Sequence, residues 1–262
     1  MKLGLSMLFR LGEPLKKALG ILPKALEAGV EVIELVDEAL HSLRGRKLDL
    51  VIRAFSGLGL SIAVHAPFVD LNIGSPYEPM RRFSLMRHFM SMEAARRLDA
   101  VAWVFHPGLR TGITHHYPGV EWRRTLRSIR EIYSKAEELG LRALLENAPE
   151  PFPFVLKRVE DFERLFSEIG PDVEVELAFD IGHAHLCGQV EEFVRAFGGR
   201  IGYVHAHDND GTSDIHLGIG HGSVNWPSVL RALREVGYRG PVVVESVEDV
   251  WGSLSRLKAL LA

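Results

Sequence analysis

Apolar residues along the chain fall into short continuous runs, which alternate with longer segments of helical spacing. The runs are rich in Val, Ile, Leu and Phe, as expected for parallel strands that are covered on both faces. Alternation of such strands with helices is typical of βαβ units. The sequence predicts eight strands, which lie at LGLS near residue 3, VEVIELV from 30, SIAVH from 61, AVAWVFH from 100, RALLE from 142, VELAFD from 175, IGYVHAHD from 201 and PVVVES from 241.

In the segments between these runs, apolar residues recur every three to four positions, which predicts helices packed on one side. The clearest segments begin at residues 79, 120, 159 and 226. Gly140, Gly170 and Gly237 follow three of them, where a left-handed residue often ends a helix, and Asn225 occupies an N-cap position. Eight strands with about eight helices favour a single closed (β/α)8 TIM barrel, of class α/β, over an open doubly wound sheet, a choice that one strand more or fewer would reverse.

Length and composition agree with one folded domain. A barrel of this kind needs about 250 residues, so we expect a single domain over residues 1–262. Hydrophobic residues make up 47% and charged residues 25% of the chain, which excludes a disordered protein. No run of about 18 apolar residues and no signal peptide is present, so we expect no membrane partner. The formal net charge of −3 weighs against nucleic acid as an obligate partner.

Rare residue types indicate the compartment and the source of the protein. Cys187 is the one cysteine, which excludes an internal disulfide framework and a CxxC zinc knuckle and favours a reducing cytoplasm. The chain has one glutamine and four asparagines, and its positive charge comes mostly from arginine. This composition favours a heat-adapted source.

Metal-capable side chains stand at the ends of six consecutive predicted strands. In a TIM barrel these ends form the rim that carries the active site. Any one such residue is more often a buried side chain with satisfied hydrogen bonds, but six at the same structural position indicate a shared site. Donors that converge from several strands are what a divalent cation requires. The six residues are His65, His106, Glu146, Asp180, His205 and Glu245.

A second concentration of histidine and aspartate follows the seventh strand. The segment VHAHDNDGTSDIHLGIGHG, residues 204–222, holds four histidines and three aspartates, either as a solvated loop or as a metal donor array. Asp214 and His216 are spaced to reach one site from a single loop. His207 faces the same way as His205 on a strand; we assign the metal to His205 and leave His207 as a neighbouring or substrate contact. Mixed imidazole and carboxylate donors suit zinc, manganese, cobalt or iron(II) better than magnesium.

These motifs together resemble the superfamily of xylose-isomerase-like TIM barrels, which includes endonuclease IV (AP endonuclease family 2). The resemblance covers residues from about 30 to 250 and rests on VHAPFVDLNIGS, VFHPG, LLENAP, FDIGHAH, VHAHDNDGTSDIHLGIGHG and VVVES. It implies one to three divalent ions (zinc, manganese or cobalt) in the barrel mouth, and a possible homo-oligomer. The core ligands of the sugar isomerases and epimerases would be Glu146, Asp180, His205 and Glu245. Endonuclease IV would add His65, His106, His183, Asp214 and His216.

The leading hypothesis is a metal-dependent isomerase or epimerase that acts on a small sugar or sugar phosphate. Under this resemblance, Glu146 and Glu245 exchange protons with the sugar as general base and general acid, and His183 orients a substrate hydroxyl. The strings DIGHAH and HAHDNDGTSDIHLGIGHG are closer to this branch than to endonuclease IV. His221 departs from the pattern, because many relatives carry glutamate there.

Two alternatives stay open at this stage. One is an endonuclease IV-like phosphoesterase with a multinuclear metal cluster, for which nucleic acid would be the substrate. It is weakened because the region after the second strand, DEALHSLRGRKLDL, lacks the glutamine and aromatic insertion loop of that enzyme. The other is a metal-binding protein without catalysis, which the open arrangement of donors disfavours.

Overall fold

Eight parallel strands close a barrel in chain order. In the computed structural model, which describes residues 1–261, each strand pairs with the next one along the chain and the last pairs with the first. The strands are β1 (Lys2–Ser6), β2 (Val32–Val36), β3 (Ser61–His65), β4 (Ala102–Phe105), β5 (Ala143–Glu146), β6 (Glu176–Asp180), β7 (Ile201–Ala206) and β8 (Pro241–Val244). The predicted (β/α)8 TIM barrel is confirmed.

Helices fill every crossover between strands, and two crossovers contain a pair of them. The helices are α1 (Leu15–Ala18), α2 (Leu22–Glu27), α3 (Arg46–Phe55), α4 (Glu78–Arg97), α5 (Val120–Leu139), α6 (Val159–Glu168), α7 (Ile181–Leu186), α8 (Val190–Phe197), α9 (Trp226–Glu235) and α10 (Val250–Leu261). Short 3-10 turns lie at Leu8–Arg10, Leu19–Ile21, Ala39–His41, Gly112–His115 and Gly198–Arg200. The double crossovers, α1 with α2 and α7 with α8, explain why the helices outnumber the expected eight.

The helix ends follow the sequence signals. Gly140, Gly170 and Gly237 have φ values of 60°, 95° and 76°, the left-handed conformation that glycine adopts at little cost. The side chain of Asn225 accepts a hydrogen bond from the backbone N–H of Ser228 at 3.2 Å, which caps α9. These predictions are confirmed.

Two apolar layers hold the barrel together. The larger layer lies between the sheet and the helices, and the smaller one is a separate cluster of inward-facing strand residues. Side chains alternate along a strand, so seven strands, β2 to β8, contribute to both layers, while β1 contributes to the outer layer. The inner cluster consists of Val32, Ala63, Ala102, Val104, Leu144, Ala178, Tyr203 and Val243. It closes the barrel interior beneath the rim.

None of the helices within residues 1–261 has the length and apolar character needed to cross a lipid bilayer.

Candidate metal centre and active site

The polar site begins where the inner apolar cluster ends. Because strand side chains have a period of two, the residue two positions after an inner apolar residue also points into the barrel, one step nearer the rim. In seven strands, the residue two positions after the last inner apolar residue is polar. The seven residues are Glu34, His65, His106, Glu146, Asp180, His205 and Glu245. The sequence predicts His106 and Glu245 as part of strands 4 and 8, but in the structure each is the first residue after its strand.

The structure gathers the metal-capable residues into three groups, in each of which one ligand atom per residue lies within 4.8 Å of the others. The core group is Glu146, Asp180, His205 and Glu245; the His106 group is His65, His106 and Glu146; the Asp214 group is His183, His207, Asp214 and His216. All nine residues singled out from the sequence belong to one of these groups. Their roles in metal binding and catalysis stay predictions.

In the core group, the ring of His205 lies among three carboxylates. Its Nδ1 atom is 2.9 Å from Oε1 of Glu146, 3.5 Å from Oε2 of Glu245 and 3.8 Å from Oδ2 of Asp180. Four ligands at about 2.0–2.1 Å from a zinc ion would be separated by about 3.3 Å. All four side chains are buried. The core group therefore has the spacing and the donor types of a divalent cation site.

Glu146 joins the core group to the His106 group. Its second oxygen, Oε2, lies 3.2 Å from Nε2 of His65 and 3.2 Å from Nε2 of His106. The His65 and His106 rings meet edge to face, with centroids 4.9 Å apart. One carboxylate thus faces two donor groups through its two oxygens.

The Asp214 group surrounds a single carboxylate with histidine nitrogens. Nε2 of His183 and of His216 are each 3.4 Å from an oxygen of Asp214, and Nε2 of His207 is 3.8 Å away. His207 also lies 3.1 Å from Oδ1 of Asp180, which connects this group to the core group. The sequence left the role of His207 undecided; the structure buries it completely and stacks it on His216 at a centroid distance of 3.7 Å.

Backbone carbonyl groups fix the orientation of three histidines. Nδ1 of His65 donates to Ala66 at 2.8 Å, Nδ1 of His183 donates to Asn147 at 2.8 Å, and Nδ1 of His216 donates to Glu245 at 3.0 Å. A proton on Nδ1 leaves the lone pair of Nε2 free to bind a cation. In each case this Nε2 atom faces its donor group.

Two supporting residues escaped the sequence analysis. Glu34, fully buried on β2, accepts a hydrogen bond from Nε2 of His205 at 2.9 Å, so the lone pair of Nδ1 is directed at the core group. The side-chain amide of Asn147 pairs with the backbone N–H and C=O of Asp180 at 2.8 and 3.0 Å. Glu34 carries a sequence signal, because it is the inward residue two positions after Val32. Asn147 carries none, since its role depends on how β5 and β6 are aligned.

Comparison with known proteins identifies the family. Residues 22–259 match the family model described as xylose isomerase-like TIM barrel. The chain belongs to the xylose isomerase-like TIM barrel family. The resemblance drawn from the motifs is confirmed.

Relatives of the chain include sugar 3-epimerases. An uncharacterised protein of Methanocaldococcus jannaschii is 34% identical over 269 residues, which cover 100% of this chain and 89% of the relative. The D-psicose 3-epimerase of Ruminiclostridium cellulolyticum is 22% identical over 251 residues, 88% of this chain and 78% of the enzyme. A solved structure described as a D-tagatose 3-epimerase-like protein is 31% identical, with a TM-score of 0.91 and coverage of 100% of this chain and 97% of that one.

The buried carboxylates leave the site with a net negative charge unless its histidines are protonated. Burial alone would lower the pKa of His65, His183 and His216, but the neighbouring carboxylates raise these values to about 9, 10 and 9. Burial raises the pKa of Glu245 to about 7 despite the nearby histidines. Without a cation, the site therefore binds protons on its histidines.

Unpartnered polar atoms within residues 1–261 test whether a cation fits. Four of the buried atoms that make no hydrogen bond of good geometry lie at this site: Oδ2 of Asp180, Oδ1 of Asp214 and the two ring nitrogens of His207, of which Nε2 has only the ion-pair contact with Asp180. Burying such atoms without a partner is unfavourable. These four atoms belong to the core and Asp214 groups, where a divalent ion would be bound by the carboxylate oxygens and by one nitrogen of His207. The residues present thus fit the metal that the motifs imply.

Replacing Glu34 with glutamine should weaken zinc binding about 10- to 100-fold, as loss of a partner behind a metal-binding histidine typically does. The amide of glutamine can donate to Nε2 of His205, which places the ring proton on Nδ1, the atom that faces the core group. The measurement is a competition titration with a chromophoric chelator. Glu31→Gln, exposed on the same segment, is the matched control. An unchanged dissociation constant in a folded Glu34→Gln variant would contradict this role.

Zinc loading of the metal-free protein at neutral pH should release protons, because the metal must displace those held by His65, His183 and His216. Calorimetric titration in two buffers of different ionisation enthalpy measures the number released. Asp214→Asn should release fewer, since this carboxylate raises the pKa of His183 and His216. Binding without proton release, or binding that strengthens as the pH falls, would be the opposite result.

Proposed function

We propose that this protein is a divalent-metal-dependent ketose isomerase or epimerase in which Glu146 and Glu245 transfer the proton. One observation carries the proposal. The two carboxylates come from β5 and β8, which are not neighbours in the barrel, and they meet in the core group while both line the same cavity. This cavity has a volume of about 400 Å³ and lies at the barrel mouth. A sugar bound there would contact one carboxylate from β5 and another from the end of β8.

The reaction class requires this arrangement of two carboxylates. Epimerisation beside a carbonyl removes a proton from carbon, moves the C–H electron pair towards the carbonyl oxygen, and returns a proton to the opposite face. One carboxylate acts as general base and the other, protonated, as general acid. A divalent cation in the core group would polarise the carbonyl and make the neighbouring C–H more acidic. Burial favours the protonated form of Glu245, which suits the acid role.

His183 supports substrate orientation in this proposal. It lines the cavity and is almost completely buried, and its ring is fixed because Nδ1 donates to the carbonyl of Asn147. Its Nε2 atom lies 3.4 Å from Oδ2 of Asp214, which also lines the cavity, so His183 can contact a sugar hydroxyl bound there. The names of the related 3-epimerases lead us to propose C3 of a 2-ketose as the reacting carbon.

A second candidate, an endonuclease IV-like phosphoesterase, is favoured by one observation. The His106 and Asp214 groups supply donors for two further cations beside the core group, and such clusters hold a phosphate and activate water. The segment after β2 disfavours DNA as the substrate, because in the structure it forms only a 3-10 turn and then α3, without an insertion loop. No lysine or arginine lines the cavity within residues 1–261.

Glu146→Gln and Glu245→Gln should each reduce hydrogen exchange at C3 of a ketose by at least about 100-fold, since general acid or base catalysis typically contributes that much. Proton NMR in deuterated water measures the exchange, on protein loaded separately with manganese, cobalt or zinc. Glu248→Gln is the control, because Glu248 is exposed just after β8. Metal content and circular dichroism are measured on each variant to separate loss of proton transfer from loss of the ion or of the fold.

Two results would contradict the proposal. One is full exchange activity in either glutamine variant. The other is wild-type protein that exchanges no ketose proton and instead cleaves duplex DNA at an abasic site, which would establish the second candidate.

A further inference from the structure

We propose that the substrate is a neutral ketose with an apolar group at the end remote from the core group, and not a sugar phosphate. This inference rests on the proposed function, because it takes the carbonyl end of the sugar to lie at the core group. The inference concerns the opposite end of the sugar, which would contact the walls of the cavity.

The cavity has a polar floor and apolar walls. The floor consists of donor-group residues such as His65, Glu146 and Glu245. The walls include Leu8, Phe68, Leu71, Leu109, Phe152 and Phe154. The ring centroids of Phe68 and Phe154 lie 5.5 and 5.6 Å from that of His106, so the apolar wall begins directly above the His106 group. Phe152 is 51% exposed, which places it at the rim.

The walls offer nothing that would neutralise a phosphate. A phosphate dianion needs charged or strong N–H donors when it leaves water. Among residues 1–261, the cavity lining contains no lysine or arginine. His88, the one lining histidine outside the three donor groups, donates from Nδ1 to the carbonyl of Ser84 at 2.7 Å. Burial lowers the pKa of His88 to about 4, so its ring is neutral.

N–H groups near the place where TIM barrels often bind phosphate are already bound to an internal carboxylate. That place is formed by the loops after the seventh and eighth strands. In the loop after β7, the buried side chain of Asp208 accepts four hydrogen bonds. The donors are the backbone N–H groups of Asn209 (3.0 Å), Gly220 (2.8 Å) and Val224 (3.1 Å), and the indole N–H of Trp226 (2.8 Å). Asp208 thus uses the N–H groups of the kind that bind a phosphate elsewhere.

Contact with this wall should strengthen the binding of an apolar substituent and weaken the binding of a phosphate. Each CH₂ group transferred from water to an apolar surface strengthens binding roughly fourfold. Partly exposed phenylalanine and leucine side chains at the rim can be covered by a ligand without displacing any internal hydrogen bond. The cavity therefore selects for a deoxygenated, alkyl or aryl end.

The test compares four ligands by calorimetry with the zinc-loaded protein: a 2-ketohexose, its 6-deoxy analogue, its 6-O-benzyl ether and its 6-phosphate. We expect the benzyl ether to bind at least about tenfold more tightly than the parent sugar, the deoxy analogue to lie between them, and the phosphate to bind at least about tenfold more weakly. A phosphate that binds as tightly as the parent, or a benzyl ether that gains nothing, would overturn the inference.

A charge placed in the wall should reverse the order. Phe154→Lys should strengthen binding of the 6-phosphate at least about tenfold and weaken binding of the benzyl ether. Leu109→Lys, on the same wall, provides the same test if the first variant does not fold. Phe83→Lys is the matched control, because Phe83 is 47% exposed on α4 and outside the cavity lining. If both wall variants fold and leave the phosphate affinity unchanged, the wall does not select against phosphate.

The affinities and the exchange reaction report on different claims. If the benzyl ether binds best and no ketose exchanges its C3 proton, the proposed epimerase activity fails while the inference about the ligand stands. If the ketoses exchange and the 6-phosphate binds best, the activity stands and the inference is overturned.

Discussion

Closure of the sheet is the constraint on which the site depends. Seven strands carry a polar residue two positions beyond an inner apolar residue, and on an open sheet these residues would form a broad row along one edge. Closing the barrel turns that row into a ring and brings Glu146 on β5 to within hydrogen-bonding distance of His205 on β7. The strands supply rigid supports, so the donor atoms meet without long flexible side chains.

The same closure concentrates buried negative charge. Glu34, Glu146, Asp180 and Glu245 are all nearly inaccessible to water, and burying carboxylates is unfavourable unless they are paired or bind a cation. The histidines offset part of this cost by taking up protons, and a divalent ion would offset more. Stability, metal binding and catalysis are therefore linked through one cluster. The apolar inner cluster beneath it keeps water out from below.

Much of the architecture could be predicted from local patterns. Each apolar run became a strand, and Gly140 and Asn225 ended or began helices as their chemistry requires. The position of polar residues at strand ends predicted which side chains meet, because the barrel brings all strand ends to one rim. Glu34 obeys the same period-two rule and was missed because it lies inside an apolar run. His207, Asn147 and Asp208 depend on loop folding and strand alignment, which no local pattern encodes.

Anomalous diffraction from a zinc-soaked crystal would show whether donors from separate strands converge on a cation at the rim. We expect a strong peak in the core group, at about 2.0–2.2 Å from Glu146, Asp180, His205 and Glu245. An anomalous map with no peak among these four side chains, together with carboxylates that turn away from one another, would contradict this expectation.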